Sequence, residues 1–229
     1  MRVGVLGGTF DPIHIGHLAA AEEARVRLDL ERVVFVPANL PPHKLHLHVT
    51  ATEHRLNMVR LAIADNPRFV LSRVDVDRFG PSYTVDTIEL LRDEYGPNGE
   101  LYFIMGADSL TEFLTWHKPE RLIRLCRIAA MTRPGYRVDL KELNRLLPGA
   151  IARVQLLEMP LLEISSSDLQ QRVRMGLSIK YLVPAAVEAY IQQHGLYQDC
   201  EHASGSAGHA LSGMENACQA AGEHEGENR

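Results

Sequence analysis

Two histidines, His14 and His17, lie three residues apart, shortly after an apolar run that ends in two glycines. Residues 2–6 have the β-branched apolar character of a strand, and a helix is predicted to begin within residues 12–15. Histidines at this spacing share one face of the first helical turn. The unpaired N–H groups and the positive dipole end of a helix start favour an anion. The pattern therefore indicates a phosphate-binding turn with two imidazole donors.

Glycines surround this pair. Gly7 and Gly8 let the backbone turn tightly after the strand and come close to a ligand. Gly16, between the histidines, removes a side chain where a phosphate would lie. A glycine pair alone fits an ordinary strand-to-helix connection equally well. The two histidines one turn apart at the same junction favour the functional interpretation.

The string Gly-Gly-Thr-Phe-Asp-Pro-Ile-His-x-Gly-His-Leu over residues 7–18 resembles bacterial nicotinate-nucleotide adenylyltransferases, of the nucleotidyltransferase superfamily with a His-x-Gly-His signature. The resemblance implies transfer of the AMP moiety of ATP to nicotinate mononucleotide, giving deamido-NAD and pyrophosphate, in NAD biosynthesis. It implies that His14 and His17 are catalytic. The residues of this turn that it assigns to ATP binding are Gly7, Gly8, Thr9, Phe10 and Gly16.

Other segments resemble the family's acceptor site, and the residues so assigned are Lys44, Thr84, Val85, Trp116 and Arg133. Lys44 follows two prolines, and its compact charge suits a substrate phosphate. Trp116 would stack on the nicotinate ring. The backbone amides of Thr84 and Val85, at a predicted helix start, would receive the nicotinate carboxylate. A helix N-terminus suits that anion better than a neutral carboxamide.

Two helix starts near these residues are also predicted. Ser82 or Thr84 is expected to cap the helix predicted over residues 84–95. Gly106 and Asp108 follow a strand predicted over residues 101–105, and the resemblance places them at ATP. Asp108 equally fits a cap for a helix beginning near Ser109.

A second anion site is predicted at the start of a helix over residues 166–175. Ser166 and Ser167 belong to a segment that resembles the family's Ile-Ser-Ser-Thr-x-Ile-Arg motif, which holds the ATP phosphates. Gln170 stands where the family usually has arginine, so a charge-assisted contact is lost there. The helical register leaves both Arg172 and Arg174 open as replacements.

Strand-like runs alternate with these helices along the chain, and such alternation is typical of βαβ units in a parallel sheet with its ligand at the carboxyl ends of the strands. We expect a three-layer α/β domain over residues 1–198. The resemblance implies a Rossmann-like α/β/α nucleotidyltransferase fold with a mainly parallel sheet. Residues 199–229 are rich in Ala, Gly, Ser and Glu, and we expect them to form a disordered tail.

The charge is distributed unevenly over the 229 residues. Residues 199–229 hold six acidic side chains and one basic side chain, which accounts for the whole net charge of −5 and leaves 23 of each sign in residues 1–198. A neutral body argues against nucleic-acid binding. No apolar run reaches 18 residues, so no membrane span is expected. Three widely spaced cysteines and the lack of a signal-peptide pattern fit a reducing cytoplasm.

The resemblance implies ATP and nicotinate mononucleotide as partners and Mg²⁺ as the cofactor. Mg²⁺ should bridge phosphate oxygens and keep several waters, so no protein metal ligands are expected. The sequence leaves open whether the chain forms a homo-oligomer. Two alternatives are a nucleotidyltransferase with another acceptor, such as nicotinamide mononucleotide or pantetheine phosphate, and a non-catalytic nucleotide-binding regulator. The acceptor segments oppose the first, and the histidine pair opposes the second.

Overall fold

A computed structural model of the chain describes residues 1–40, 49–132, 139–160 and 162–198. Six strands of this part form one sheet in the order β3-β2-β1-β4-β5-β6, and every neighbouring pair is parallel. The strands are β1 (Arg2–Gly8), β2 (Arg32–Pro37), β3 (Phe69–Leu71), β4 (Glu100–Gly106), β5 (Arg127–Thr132) and β6 (Val154–Glu158).

Helices cover both faces of the sheet. They are α1 (Ile15–Arg27), α2 (Thr52–Ala62), α3 (Thr84–Tyr95), α4 (Ala107–Thr111), α5 (Pro119–Leu125), α6 (Leu140–Leu146), α7 (Ser166–Arg174) and α8 (Ala185–Gln193). Short 3₁₀ turns occur at Phe113–Thr115 and Ala150–Ala152. None of the helices in the described ranges has the length and apolar character needed to cross a membrane.

Alternate side chains of the strands pack into two separate cores, one on each face. On β2, Val33 and Phe35 contribute to the core shared with α1, α2, α7 and α8, whereas Val34 and Val36 contribute to the core shared with α3 to α6. Strands buried on both faces are continuously apolar, as expected for a parallel sheet. The predicted three-layer α/β architecture is confirmed, and its sheet is parallel throughout the described strands.

The connections change side between β1 and β4. β1 pairs with β2 on one edge and with β4 on the other, so the chain leaves β1 in one direction and returns on the opposite side. The carboxyl ends of these two strands, at Gly8 and Gly106, therefore form the topological switch point, where open α/β sheets bind ligands. Both glycine-containing strand ends singled out in the sequence lie here.

Candidate functional site

The turn between β1 and α1 brings the two predicted catalytic histidines together. His14 is the N-cap of α1 with an extended backbone (φ −144°, ψ 171°), and His17 lies in the first helical turn. Their rings stack with centroids 3.7 Å apart and planes 29° apart. The first turn of α1 contains no acidic residue, which would disfavour a bound anion. The prediction that the two rings share one face is confirmed.

The protonation of the pair follows from burial and hydrogen bonding. His14 is only 6% exposed, and this burial lowers its pKa to about 4 because the imidazolium would lose its hydration. His14 is therefore neutral at pH 7. The backbone N–H of His14 donates to Nδ1 of His17 over 3.3 Å. A neutral imidazole that accepts at Nδ1 carries its proton on Nε2.

Close packing around the histidines explains two of the glycines. Phe10 is buried, has a positive φ of 52°, and meets the His17 ring edge-on with centroids 5.1 Å apart. A Cβ on Gly8 would lie 3.1 Å from the Phe10 ring, and a Cβ on Gly16 would lie 3.1 Å from the His14 ring. Gly16 thus makes room for the His14 ring. The sequence interpretation assigned this glycine to the phosphate alone, because the position of the ring depends on the fold.

The second predicted anion site lies directly against this turn. Ser165 caps α7, its hydroxyl oxygen accepting from the backbone N–H of Asp168. The Ser166 hydroxyl donates to the carbonyl oxygen of Pro12 over 2.9 Å, and the Gln170 side-chain amide donates to the carbonyl oxygen of Asp11 over 2.6 Å. The starts of α1 and α7 are therefore held together. Two helix N-termini can act on one polyphosphate.

The two arginines considered as replacements at Gln170 have different surroundings. Arg172 donates from Nε and Nη2 to the carbonyl oxygen of Ser178, over 3.0 and 2.8 Å, and so contacts the segment after α7. Arg174 donates to the side-chain oxygen of Gln170 over 3.3 Å. Of the two arginines, Arg174 is therefore the one that contacts Gln170.

The start of α3 differs from the predicted capping. Tyr83, not Ser82 or Thr84, is the N-cap, and it provides no side-chain cap. The Ser82 hydroxyl oxygen instead accepts from the backbone N–H groups of Asn39 and Leu40, over 2.9 and 3.3 Å. Thr84 is already the first helical residue, beyond the cap position. The predicted caps are therefore wrong, and Tyr83 gives the first N–H groups of α3 no side-chain cap.

The end of β4 also differs from one predicted alternative. Gly106 is the N-cap of α4, and Asp108 lies within its first turn, so the predicted capping role of Asp108 is wrong. The helix begins at Ala107, earlier than expected, which leaves Asp108 just beyond the carboxyl end of β4. The nucleotide role that the resemblance implies for Asp108 stays a prediction.

Trp116 directly precedes His117, the residue that contacts the N-cap of α3. It is half-buried and packs edge-on against Phe103, with ring centroids 5.9 Å apart, and against Phe113 at 5.4 Å. The neighbouring His117 ring stacks on Tyr83 at 4.2 Å. This contact joins the tryptophan segment to the helix whose amides were assigned to the carboxylate. Lys44 and Arg133, the other two predicted acceptor residues, lie outside the described residues.

A buried polar cluster behind the histidine turn was missed in the sequence. The Asp11 carboxylate accepts from the Tyr197 hydroxyl over 2.6 Å and from the backbone N–H of Thr50 over 3.0 Å. Burial and the negative charge of Asp11 raise the Tyr197 pKa, so the hydroxyl stays protonated. Arg55 lies beside this group and is only 1% exposed. The available signal was that this arginine lies within an apolar pattern of helical spacing.

Comparison with known proteins places this site in a family. A model for cytidylyltransferase-like proteins matches residues 5–172. A Thermomicrobium roseum protein named "Probable nicotinate-nucleotide adenylyltransferase" is 49% identical over 200 residues, covering 87% of this chain and 93% of that protein. A Moorella thermoacetica protein of the same name is 51% identical over 199 residues, covering 86% and 92%.

A solved structure has the same fold. Nicotinic acid mononucleotide adenylyltransferase from Plasmodium falciparum, complexed with NaAD, superposes with a TM-score of 0.70 at 22% identity, covering 86% of this chain and 97% of that one. The sequence relatives carry the family assignment independently of this likeness. Together with the paired histidines at the switch point, they show that the chain belongs to the nicotinate-nucleotide adenylyltransferases of the cytidylyltransferase-like family.

Proposed function

We propose that the chain transfers the AMP moiety of ATP to nicotinate mononucleotide, releasing deamido-NAD and pyrophosphate. The observation that carries this proposal is the stacked pair of His14 and His17 at the start of α1, at the switch point of the sheet. The relatives that are 49% and 51% identical over most of their length carry the corresponding name and support the acceptor.

The chemistry requires positioning and charge stabilisation. A phosphate oxygen of nicotinate mononucleotide forms a bond to the α-phosphorus of ATP, and the bond from that phosphorus to the oxygen bridging the α- and β-phosphates breaks. The electron pair of the broken bond leaves with pyrophosphate. The attacking phosphate is already anionic at neutral pH, so the reaction needs no general base. Preorganised donors aimed at the developing charge lower the barrier.

His14 and His17 are the proposed donors to the α- and β-phosphate oxygens. His14 donates as a neutral imidazole, and His17 donates from Nε2 because its Nδ1 accepts from the backbone. The helix starts of α1 and α7 add backbone N–H groups. The remaining residues that we assign to ATP are Gly7, Gly8, Thr9, Phe10, Gly16, Gly106, Asp108, Ser166 and Ser167.

The acceptor is proposed to bind at the start of α3. The amides of Thr84 and Val85, which no side chain of the N-cap residue satisfies, receive the nicotinate carboxylate. Trp116 stacks on the nicotinate ring. Lys44 and Arg133 contact the acceptor's phosphate side and its edge, an assignment that rests on the sequence resemblance.

Mg²⁺ is proposed to enter with ATP as part of the substrate. The described residues contain no group of three or more His, Cys, Asp or Glu side chains that could hold a metal. An ion that is bound by phosphate oxygens and keeps several waters needs few protein ligands. Mg²⁺ carried by ATP would help to neutralise the charge of its phosphates.

The direct test is pyrophosphate release from Mg·ATP with a panel of acceptors, with the dinucleotide product identified by mass. We expect turnover with nicotinate mononucleotide and much less with pantetheine phosphate or glycerol phosphate. Efficient turnover of another acceptor would overturn the assignment. Binding of ATP without turnover of any acceptor would favour a regulator.

A further inference from the structure

Arg55, on α2, is a fully buried charged side chain that the proposed chemistry does not use. Its exposure is 1%. Nη1 donates to the carbonyl oxygens of Thr9 and Ala38, each over 2.8 Å, and Nε donates to the carbonyl oxygen of Thr50 over 2.9 Å. Nη2 donates to the Thr52 hydroxyl over 3.1 Å. One guanidinium thus holds three carbonyl oxygens from separate stretches of chain.

Two of these carbonyl oxygens, those of Thr9 and Ala38, lie on the two sides of the proposed site. Thr9 lies in the turn that carries the histidines. Ala38 directly follows β2, next to Asn39, whose N–H is held by the hydroxyl of Ser82 just before α3. Arg55 therefore connects the proposed nucleotide side to the proposed acceptor side. Because the guanidinium is planar with donors in fixed directions, it sets the relative position of these backbone segments.

The charge of Arg55 is compensated from the histidine turn itself. Asp11 is 5% exposed, and the Asp11 charge acts against the burial that lowers the Arg55 pKa. Tyr197 and Thr50 hydrogen-bond the Asp11 carboxylate. Burying an arginine costs stability that an apolar side chain of similar volume would not cost. A role in geometry is therefore a better account of this residue than a role in stability alone.

We propose that Arg55 is a positioning residue. It fixes the histidine turn relative to the segment after β2, so that the phosphate of nicotinate mononucleotide is aligned for attack on the α-phosphorus of ATP. This inference rests on the proposed adenylyl transfer. A misplacement of about 1 Å at such a site costs on the order of 10²-fold in rate. Lysine at this position keeps the charge but loses the fork of donors.

The first measurement compares Arg55→Lys with wild type. We expect kcat to fall about 10- to 100-fold at a temperature where circular dichroism shows the variant folded. Arg60→Lys, on the same helix with an exposed side chain that donates to Asn57, is the matched control and should keep the wild-type kcat. Wild-type kcat in Arg55→Lys would overturn the inference.

The second measurement separates positioning from a structural role, through a double-mutant cycle with His17→Ala. If Arg55 acts by placing the histidine turn, the double variant should have a kcat within about threefold of His17→Ala alone, because residues that act as a unit are strongly non-additive. Losses that multiply would overturn the inference. If Arg55→Lys does not fold, the cycle is made with Tyr197→Phe, which removes the hydroxyl bound to Asp11. The double variant should again have a kcat within about threefold of His17→Ala alone.

Wild-type turnover keeps the two proposals distinguishable. If wild type does not make deamido-NAD from ATP and nicotinate mononucleotide, the proposed function fails. If wild type makes deamido-NAD and the kcat losses of the two single variants multiply in the double variant, only the inference on Arg55 fails.

Discussion

At the scale of single residues, His14 combines two properties that usually conflict. It is a polar donor at a proposed phosphate site, and its side chain is nevertheless buried. Burial keeps the ring neutral, so it contributes a directed N–H and no fixed charge. Phosphates bound beside it would favour the imidazolium form and raise its pKa. Because its pKa starts at about 4, the ring donates to the phosphates at pH 7 as a neutral imidazole.

The lowered pKa of His14 predicts a pH-dependent stability. The folded pKa is about 4 and the unfolded value about 6.5, so between these values the unfolded chain binds more protons. The contribution of His14 to the free energy of unfolding is complete above pH 6.5 and is lost as the pH falls towards 4. Between pH 7 and pH 5 we expect this residue to lower the free energy of unfolding by about 2 kcal/mol.

Urea unfolding of wild type and His14→Asn at pH 7 and pH 5 measures this effect, since Asn keeps a good N-cap and does not titrate. The carboxylates titrate in both proteins, so the difference between the two isolates His14. We expect wild type to lose stability relative to the variant at pH 5. A difference that stays constant with pH would show that the His14 pKa is not lowered.

Sequence alone predicted the histidine pair because its evidence is local: two rings at a fixed spacing on a predicted helix start. It could not predict the lowered pKa of His14 or the role of Arg55. Both depend on what long-range folding places around them, such as Tyr197 against Asp11, residues 186 positions apart. A buried arginine cannot be distinguished from a solvated one without its partners.

At the scale of elements, the uncapped start of α3 predicts a preference for the acid over the amide nucleotide. A carboxylate gains from the helix dipole and from charge-assisted hydrogen bonds to amides, whereas a carboxamide gains little. We expect kcat/KM for nicotinate mononucleotide to exceed that for nicotinamide mononucleotide at least about tenfold.

Thr84→Pro tests the source of this preference, because proline is tolerated at the first helical position and removes only the N–H there. The preference should fall several-fold in Thr84→Pro, while Thr84→Ala, which keeps the N–H, should retain it. Equal kcat/KM values for the two nucleotides in wild type would contradict the assignment of α3.

Elements were predicted as well as their sequence patterns allowed. The strands β1 and β4 and the helices α1, α3 and α7 were predicted because their apolar patterns end at clear breakers or extend over several turns. The start of α4 was predicted two residues late, and α5 and α6 were not predicted, since five to seven residues give too few turns for a periodic signal. The cap at Ser82 was predicted wrongly because its hydroxyl is taken by a segment 43 residues away.

At the scale of the whole molecule, residues 199–229 are proposed to lie outside the catalytic domain. Met1–Tyr197 forms one compact unit, whose last residue, Tyr197, donates a hydrogen bond to Asp11 near the start of the chain. Truncation after Gln198 should therefore leave kcat and the unfolding temperature unchanged. Truncation after Leu196 removes the Tyr197 hydroxyl and should lower the free energy of unfolding by about 1–3 kcal/mol.

Thermal unfolding and steady-state turnover of the two truncations, measured together, decide this. Loss of activity on removing only residues 199–229 would contradict the proposed domain boundary.

The order of the strands, which places β1 beside β4, could not be predicted from sequence alone. Alternation of strands and helices predicts a parallel sheet but does not fix which strands pair.

The central claim is that His17 stabilises the transferring phosphates, and the kcat of His17→Ala with Mg·ATP and nicotinate mononucleotide tests it most directly. Loss of one preorganised donor should lower kcat on the order of 10²–10³-fold, with the fold retained by circular dichroism. His194→Ala, which alters an exposed histidine after α8, should keep the wild-type kcat. A folded His17→Ala variant with wild-type kcat would remove this histidine from the mechanism and contradict the account.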